Sequence, residues 1–329
     1  MDHRLSPCSR SLLALLLGLL APPAPAAAPA PASPQPPPDE GVASFDESVA
    51  VSWVLVPVVV RGRQGHVEGL GREDFRLSID GRPAPIDELD LGEDVPLSVV
   101  YLQDLSGSVA NAGKLETSRR AFGELLARLR PGDQVALATF AGERLRVETP
   151  FTGERDALAE AMGLWEGYGT TALHDAVALL PDLSQQGRSG QRVAVLVTDG
   201  QDNASALDPA AAVAVVRGAS LPVYVLGLTA GRSGPGDDPE TYRYADLLTS
   251  LAERTGGRYF EVGGADAAAE AVAGLVEDLR RRYVLAVAIA GDGPRSYHEI
   301  RVEAVLPYRH TLTYRKGYHG TAPVPRRTP

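Results

Sequence analysis

The chain has 329 residues and a formal net charge of -10, with 44% hydrophobic and 22% charged residues. That is an ordinary composition for a soluble globular chain with room for two domains. The acidic balance argues against a protein whose main work is neutralising phosphate on nucleic acid or anionic lipid, and a lone cysteine, Cys8, rules out a disulfide framework or a cysteine-built metal centre.

Arg4 and Arg10 precede an apolar run over 12–20, and small residues follow, with Ala24-x-Ala26 as a cleavage site. This order predicts a secretory signal peptide over 1–26, with a retained anchor as the alternative. Export then implies a secreted or periplasmic, cell-envelope location. Without that segment, the mature chain is expected to have no transmembrane span. Residues 27–43 are mostly Ala, Pro, Ser and Gln and predict a stiff, extended linker.

Over 44–94 the texture is β. Val49, Val51, Trp53 and Leu55 alternate, Val58, Val59 and Val60 follow, and Phe75, Leu77 and Ile79 alternate with Arg76, Ser78 and Asp80. Asp80-Gly81 predicts a hairpin turn, and 86–91 predicts one more strand.

Over 95–281 the pattern changes. Short apolar runs at 97–102, 134–140, 193–197 and 223–228 are separated by amphipathic stretches. In the first of these, Leu115, Phe122, Leu125, Leu126 and Leu129 share a helical face. Further helices are predicted over 155–165, 172–183, 209–217, 244–254 and 265–281. The expected fold class is α/β, a doubly wound, mostly parallel sheet covered by helices on both sides. Ligands of such sheets bind at the carboxyl ends of the strands.

Strands return at 283–289, 298–306 and 311–315. The 282–318 segment is expected to pack with 44–94 as one β module, with the α/β domain inserted between its halves. Residues 319–329 are expected to form a disordered tail.

Three loops carry oxygen chemistry: Asp104-Leu105-Ser106-Gly107-Ser108 after the first apolar run, Gly169-Thr170-Thr171-Ala172 opening a helix, and Thr198-Asp199-Gly200-Gln201-Asp202-Asn203 after the third. In an extended turn Asp104, Ser106 and Ser108 can converge, with Gly107 relaxing the backbone between them. Carboxylates and hydroxyls form a hard-oxygen set suited to Mg²⁺ or Mn²⁺.

These loops resemble the metal-ion-dependent adhesion site of von Willebrand factor type A domains over about residues 96–280. The wider chain is similar to bacterial exported proteins that carry this domain. The likeness includes Leu70-x-x-Glu73-Asp74-Phe75 before it, Leu251 to Phe260 within it, and Arg315-Lys316-Gly317-Tyr318 after it. The resemblance implies that Ser106, Ser108 and Thr171 bind the metal directly, and that Asp104 and Asp199 act through water. Thr170 stands where glycine is common and is an alternative to Thr171; His174 stands where tyrosine is frequent.

The expected function is therefore an exported, non-enzymatic adhesion-type module. It would bind a protein partner whose Asp or Glu carboxylate completes the coordination of a divalent cation. The alternative is a scaffold in a cell-envelope complex with no metal-dependent ligand exchange. A hydrolase is disfavoured: His174 has no identifiable carboxylate partner and Gly-x-Ser-x-Gly is absent. Gly167-x-Gly169-x-x-Ala172 matches a dinucleotide fingerprint but follows a helix rather than a strand. Asp175 is expected to cap its helix, and Asp202 and Asn203 to fix their loop. The insert over 231–240 is expected to be either a rim loop or a plain connection, and the C-terminal tyrosines to pack in the β module.

Overall fold

The computed structural model describes residues 51–111, 113–142, 144–229, 239–290 and 296–320. The predicted signal peptide, the linker, the start of the first β segment, most of the 231–240 insert and nearly all of the tail lie outside the described residues.

The described chain opens with β1 (Val51–Gly62), β2 (Gly65–His66), β3 (Phe75–Ile79), β4 (Arg82–Ala84) and β5 (Glu88–Leu91). The α/β stretch begins with β6 (Leu97–Asp104), α1 (Gly107–Ala110), α2 (Lys114–Arg128), β7 (Gln134–Ala141), β8 (Arg144–Thr152) and α3 (Arg155–Gly163). It continues through α4 (Leu173–Ala178), α5 (Leu180–Ser184), β9 (Gln191–Thr198), α6 (Pro209–Gly218), β10 (Val223–Leu228), α7 (Pro239–Thr255), β11 (Tyr259–Val262) and α8 (Ala265–Arg280). The last elements are β12 (Tyr283–Ala290), β13 (Tyr297–Ala304), β14 (Thr311–Tyr314) and β15 (Gly317–His319).

The central sheet has the order β11-β10-β9-β6-β7-β8 and is parallel except for the edge strand β8. β6 and β7 are buried along their whole length, because both sheet faces are covered. On one face Val99 and Tyr101 pack against Phe122 and Leu125 of α2 and Leu275 of α8; on the other Val100 and Leu102 pack with Leu173 of α4, Val216 of α6 and Leu251 of α7. Each such side chain contributes about 1.5–3 kcal/mol through burial. The fold class is thus the expected one.

Two local expectations are corrected. The helix predicted over 172–183 is two short helices, broken around Leu179, because Pro181 has no N–H for a continuous ladder and instead starts α5. The unpredicted β8 is an edge strand that alternates charged with apolar residues, is mostly exposed and carries a register shift, so it has no apolar run to announce it.

Outside the α/β stretch, β1 pairs with β12 and β14, while β13 pairs with β3 and β15. The two sheets enclose Val54, Val56, Val58, Phe75, Leu77, Leu285, Ile300 and Val302. Asp80 (φ 51) and Gly81 (φ 75) form the tight β3–β4 turn with both central residues left-handed. Tyr283, Tyr314 and Tyr318 are buried there, but Tyr308 is exposed and departs from the packing expectation. The fully buried Asp278 of α8 ties the β strands to the α/β layer: it accepts a hydrogen bond from His66 Nε2 at 2.8 Å, pairs with Arg61, and lies 3.6 Å from Arg258.

Candidate functional site

The chain runs from β6 to β7 and β8 on one side, then returns to place β9 on the other side of β6. The carboxyl ends of β6 and β9 therefore flank the crevice where the winding direction reverses. Asp104 ends β6 and Thr198 ends β9.

The first loop is not an extended turn. Ser106 is the extended residue at the head of α1, and Gly107 and Ser108 are already helical. The helical turn brings Ser106 Oγ and Ser108 Oγ to 3.1 Å. Gly107 does not use a left-handed conformation. Its role is close approach: its N–H donates to Gly169 O at 3.1 Å, and a Cβ there would lie 3.2 Å from that oxygen.

The second loop is seated by Gly107 N on Gly169 O, by Tyr168 N on Leu105 O, and by a parallel bridge between Gly142 and Thr171. Thr171 is buried, and its N–H donates to Asn203 Oδ1 at 2.8 Å. Asn203 and Ala204 in turn donate backbone N–H groups to Thr171 O. The second and third loops are thus locked together at Thr171; its neighbour Thr170 instead accepts from Gly142 N through its carbonyl.

Both oxygens of the fully buried Asp104 are engaged. Oδ1 accepts from Ser106 N at 2.9 Å and Oδ2 from Thr198 Oγ1 at 2.6 Å. Burial pushes this carboxyl up to about 6; hydrogen bonds from Thr198 and Ser106 oppose the shift, and nearby Asp199 adds to it. Asp199 Oδ1 accepts from Gln201 N, and Oδ2 accepts from Lys114 Nζ at 2.9 Å. Gly200 bends the chain beside it with φ +80.

Lys114 was not singled out in the sequence, and Thr198 was named there only as the first residue of the third loop, with no role of its own. Lys114 reads there as an ordinary helix-opening residue, and only the fold reveals that α2 starts over the third loop. Thr198 precedes the Asp-Gly pair, and the end of a buried strand facing Asp104 is the signal that could have found it.

Asp202 accepts from His174 N and from Ser205, which fixes the third loop as expected. Asp175 corrects an expectation: its carboxylate accepts from Ala206 and Leu207 N–H groups across the gap, rather than capping its own helix. His174 does have a carboxylate beside it, since Asp202 Oδ2 lies 3.4 Å from Nδ1. The same nitrogen also meets Leu207 O at 3.2 Å, and among the described residues no serine hydroxyl bonds to the ring.

The donor chemistry fits a hard divalent cation. It comprises two carboxylates and neutral hydroxyls, with the Asp104 oxygens already committed to other donors and so suited to acting through water. Among the described residues no group of three or more His, Cys, Asp and Glu side chains gathers as a metal cluster, so any cation here would rely on the hydroxyls. Ser106, Ser108 and Thr171 would hold it directly.

No curated protein matches the chain. Among solved structures it is similar to an aerotolerance-related membrane protein from Bacteroides fragilis, with 22% identity, covering 55% of this chain and 98% of that one, at a TM-score of 0.43. It is also similar to a von Willebrand factor type A protein from Catenulispora acidiphila, with 15% identity, 74% of each chain covered and a TM-score of 0.46. A third likeness is the pilus adhesin SpaC from Lactobacillus rhamnosus GG, with 12% identity, 76% and 48% coverage and a TM-score of 0.47. The family model of the von Willebrand factor type A domain matches residues 99–201, the stretch that runs from within β6 past β9 and contains the first two loops and the start of the third, through Gln201. Over that stretch the chain is similar to a von Willebrand factor type A domain.

Proposed function

We propose that the chain is a binding module in which a divalent cation, Mg²⁺ or Mn²⁺, sits on the three loops and is completed by a carboxylate from a protein partner. The observation that carries this reading is the convergence of hydroxyls with occupied carboxylates. Ser106 and Ser108 oxygens are 3.1 Å apart, and both Asp104 oxygens are held by other donors. A cation bound through neutral hydroxyls keeps much of its charge, so an incoming carboxylate binds strongly. The chain's own residues orient the donors and seat the loops; none is asked to move a proton or to form a bond. The function is binding rather than catalysis, and the setting is the cell envelope or the exterior. Among the described residues no helix is long and apolar enough to cross a membrane.

One observation favours a second reading, a scaffold without metal exchange. The Lys114 ammonium already supplies Asp199 with a counter-charge. The two readings separate in one experiment. Ser106→Ala/Ser108→Ala should leave the fold and melting curve nearly intact and abolish Mg²⁺ uptake in calorimetry. In a pull-down from envelope extract, the captured partner should be lost in chelator. Capture that is equal with chelator and in the double variant supports the scaffold.

A further inference from the structure

At the opposite pole of the α/β domain, under the amino ends of β9 and β10, lies a cavity of about 510 Å³. Its volume suits a small ligand or a short peptide end. One wall is the outer face of the β1–β12 sheet, where Trp53, Leu55 and Pro57 face away from the core side chains Val54, Val56 and Val58. Trp53 is 46% and Leu55 53% exposed, an apolar strip on the solvent side of an antiparallel sheet. The other wall includes Gln191, Pro222, Arg282 and Arg315.

The two arginines are the unusual feature. Arg282 is 5% exposed. With the Gln191 amide turned to satisfy its neighbours, Arg282 Nε donates to Gln191 oxygen at 2.8 Å, a neutral acceptor. Arg315 Nε is buried with no hydrogen-bond partner, and its guanidinium lies only at 6.0 Å over the Tyr318 ring. Neither arginine has an ion pair among the described residues. Asp90 lines the same cavity, but its Oδ1 accepts a hydrogen bond from Leu91 N. Burial draws both guanidinium groups down to about 10, with no carboxylate opposing the shift. Buried charges are ordinarily paired, because desolvation without a partner is expensive.

We propose that this cavity is a second ligand site, which takes a carboxylate joined to an apolar body. The carboxylate would meet Arg282 and Arg315, and the apolar body would lie against Trp53 and Leu55. A fatty-acid-like molecule and the free C-terminus of an apolar peptide share this chemistry. The site is independent of the cation site at the other pole.

The wall supplies its own reporter, since the chain has two tryptophans and Trp165 is buried in the core. N-acetyl-leucyl-leucine and octanoate are titrated separately into the full-length protein while Trp53 emission is followed, with the peptide amide and octanol as matched neutral controls. A saturable blue shift is expected with at least one acid, and the corresponding neutral probe should bind about tenfold more weakly or worse. Binding of the peptide alone points to a chain terminus, and binding of octanoate alone to a small amphiphile. Arg315→Gln should weaken the acid by a similar factor; the acid-against-neutral comparison on the unaltered protein stands even if that variant folds poorly. Chelator should change nothing, which separates this site from the cation site. Acid and neutral probes binding alike, or no probe binding at millimolar concentration, overturns the proposal.

Discussion

Lys114 Nζ lies 2.9 Å from Asp199 Oδ2, with the Asp199 side chain almost wholly buried. The pair sets one charge of the candidate cation site against another from α2. An ammonium and a dication compete for the same carboxylate, so the lysine both stabilises the metal-free loops and taxes metal entry. Lys114→Met should lower the stability of the chelator-treated protein by about 3 kcal/mol, since it leaves Asp199 buried beside Asp104 without a counter-charge. The same change should tighten Mg²⁺ binding by about tenfold. Melting in chelator and calorimetry with Mg²⁺ measure the two effects; unchanged values in both would make the lysine a bystander.

The Asp104 carboxyl gives the site a pH signature. Its value in the folded chain, about 6, lies above its ordinary value of 3.8. The folded state therefore holds a proton that the unfolded state releases. In chelator, stability from this group is fully present below about pH 4 and is lost as pH rises through about 6, with a total on the order of 3 kcal/mol. Cation binding requires the ionised form, so the stabilisation given by Mg²⁺ should fade as pH falls below about 6, close to tenfold in affinity per unit. Melting temperatures across pH 4–8, with and without Mg²⁺, should diverge above that point. Parallel curves would remove Asp104 from the cation's surroundings.

The parallel sheet was readable because β6, β7, β9 and β10 are buried on both faces and so write continuous apolar runs. β8 was not, because an exposed edge strand needs no such run. In the site, the Asp, Ser and Thr positions stood out by type and spacing. What spacing could not supply is partnership: that Thr198 holds Asp104, that Asn203 holds Thr171, and that Lys114 reaches Asp199. Each of these contacts joins groups 32 to 94 residues apart in the chain, and only the winding of the sheet brings them together. The same limit hid the double role of the outer β1 face, whose alternation shows two apolar sides without saying what lies against the second.

Gly200 is the backbone pivot of the third loop. It has φ +80, and a Cβ there would lie 2.8 Å from Tyr244 Cβ and 3.0 Å from Leu248 Cδ1 of α7. Gly200→Ala thus combines a left-handed penalty with a clash against a packed helix. Together these should cost about 2–4 kcal/mol, read as a fall in denaturation midpoint. Because Asp199 precedes the pivot, Mg²⁺ affinity should fall as well. A variant with full stability and full Mg²⁺ binding would show that α7 yields freely.

Asp278 provides the last test, at the joint between α8 and the β1–β2 ribbon. Its carboxylate is fully buried and faces His66, Arg61 and Arg258, so it holds three basic groups from both parts of the fold. Burial and the Arg61 charge keep His66 below its ordinary value, so the imidazole is a neutral donor to Asp278. Asp278→Ala removes the acceptor and leaves Arg61 partly buried without its partner. The expected loss is about 3–5 kcal/mol in chemical denaturation. Asp278 lies on α8, away from the three loops, so Mg²⁺ affinity of the folded variant should be unchanged. Adding Arg61→Met in the same chain should recover part of the loss, because the orphaned charge goes with it. If the double variant is no more stable than the single one, the pair is not what secures the joint, and the apolar contacts around it must carry that role instead.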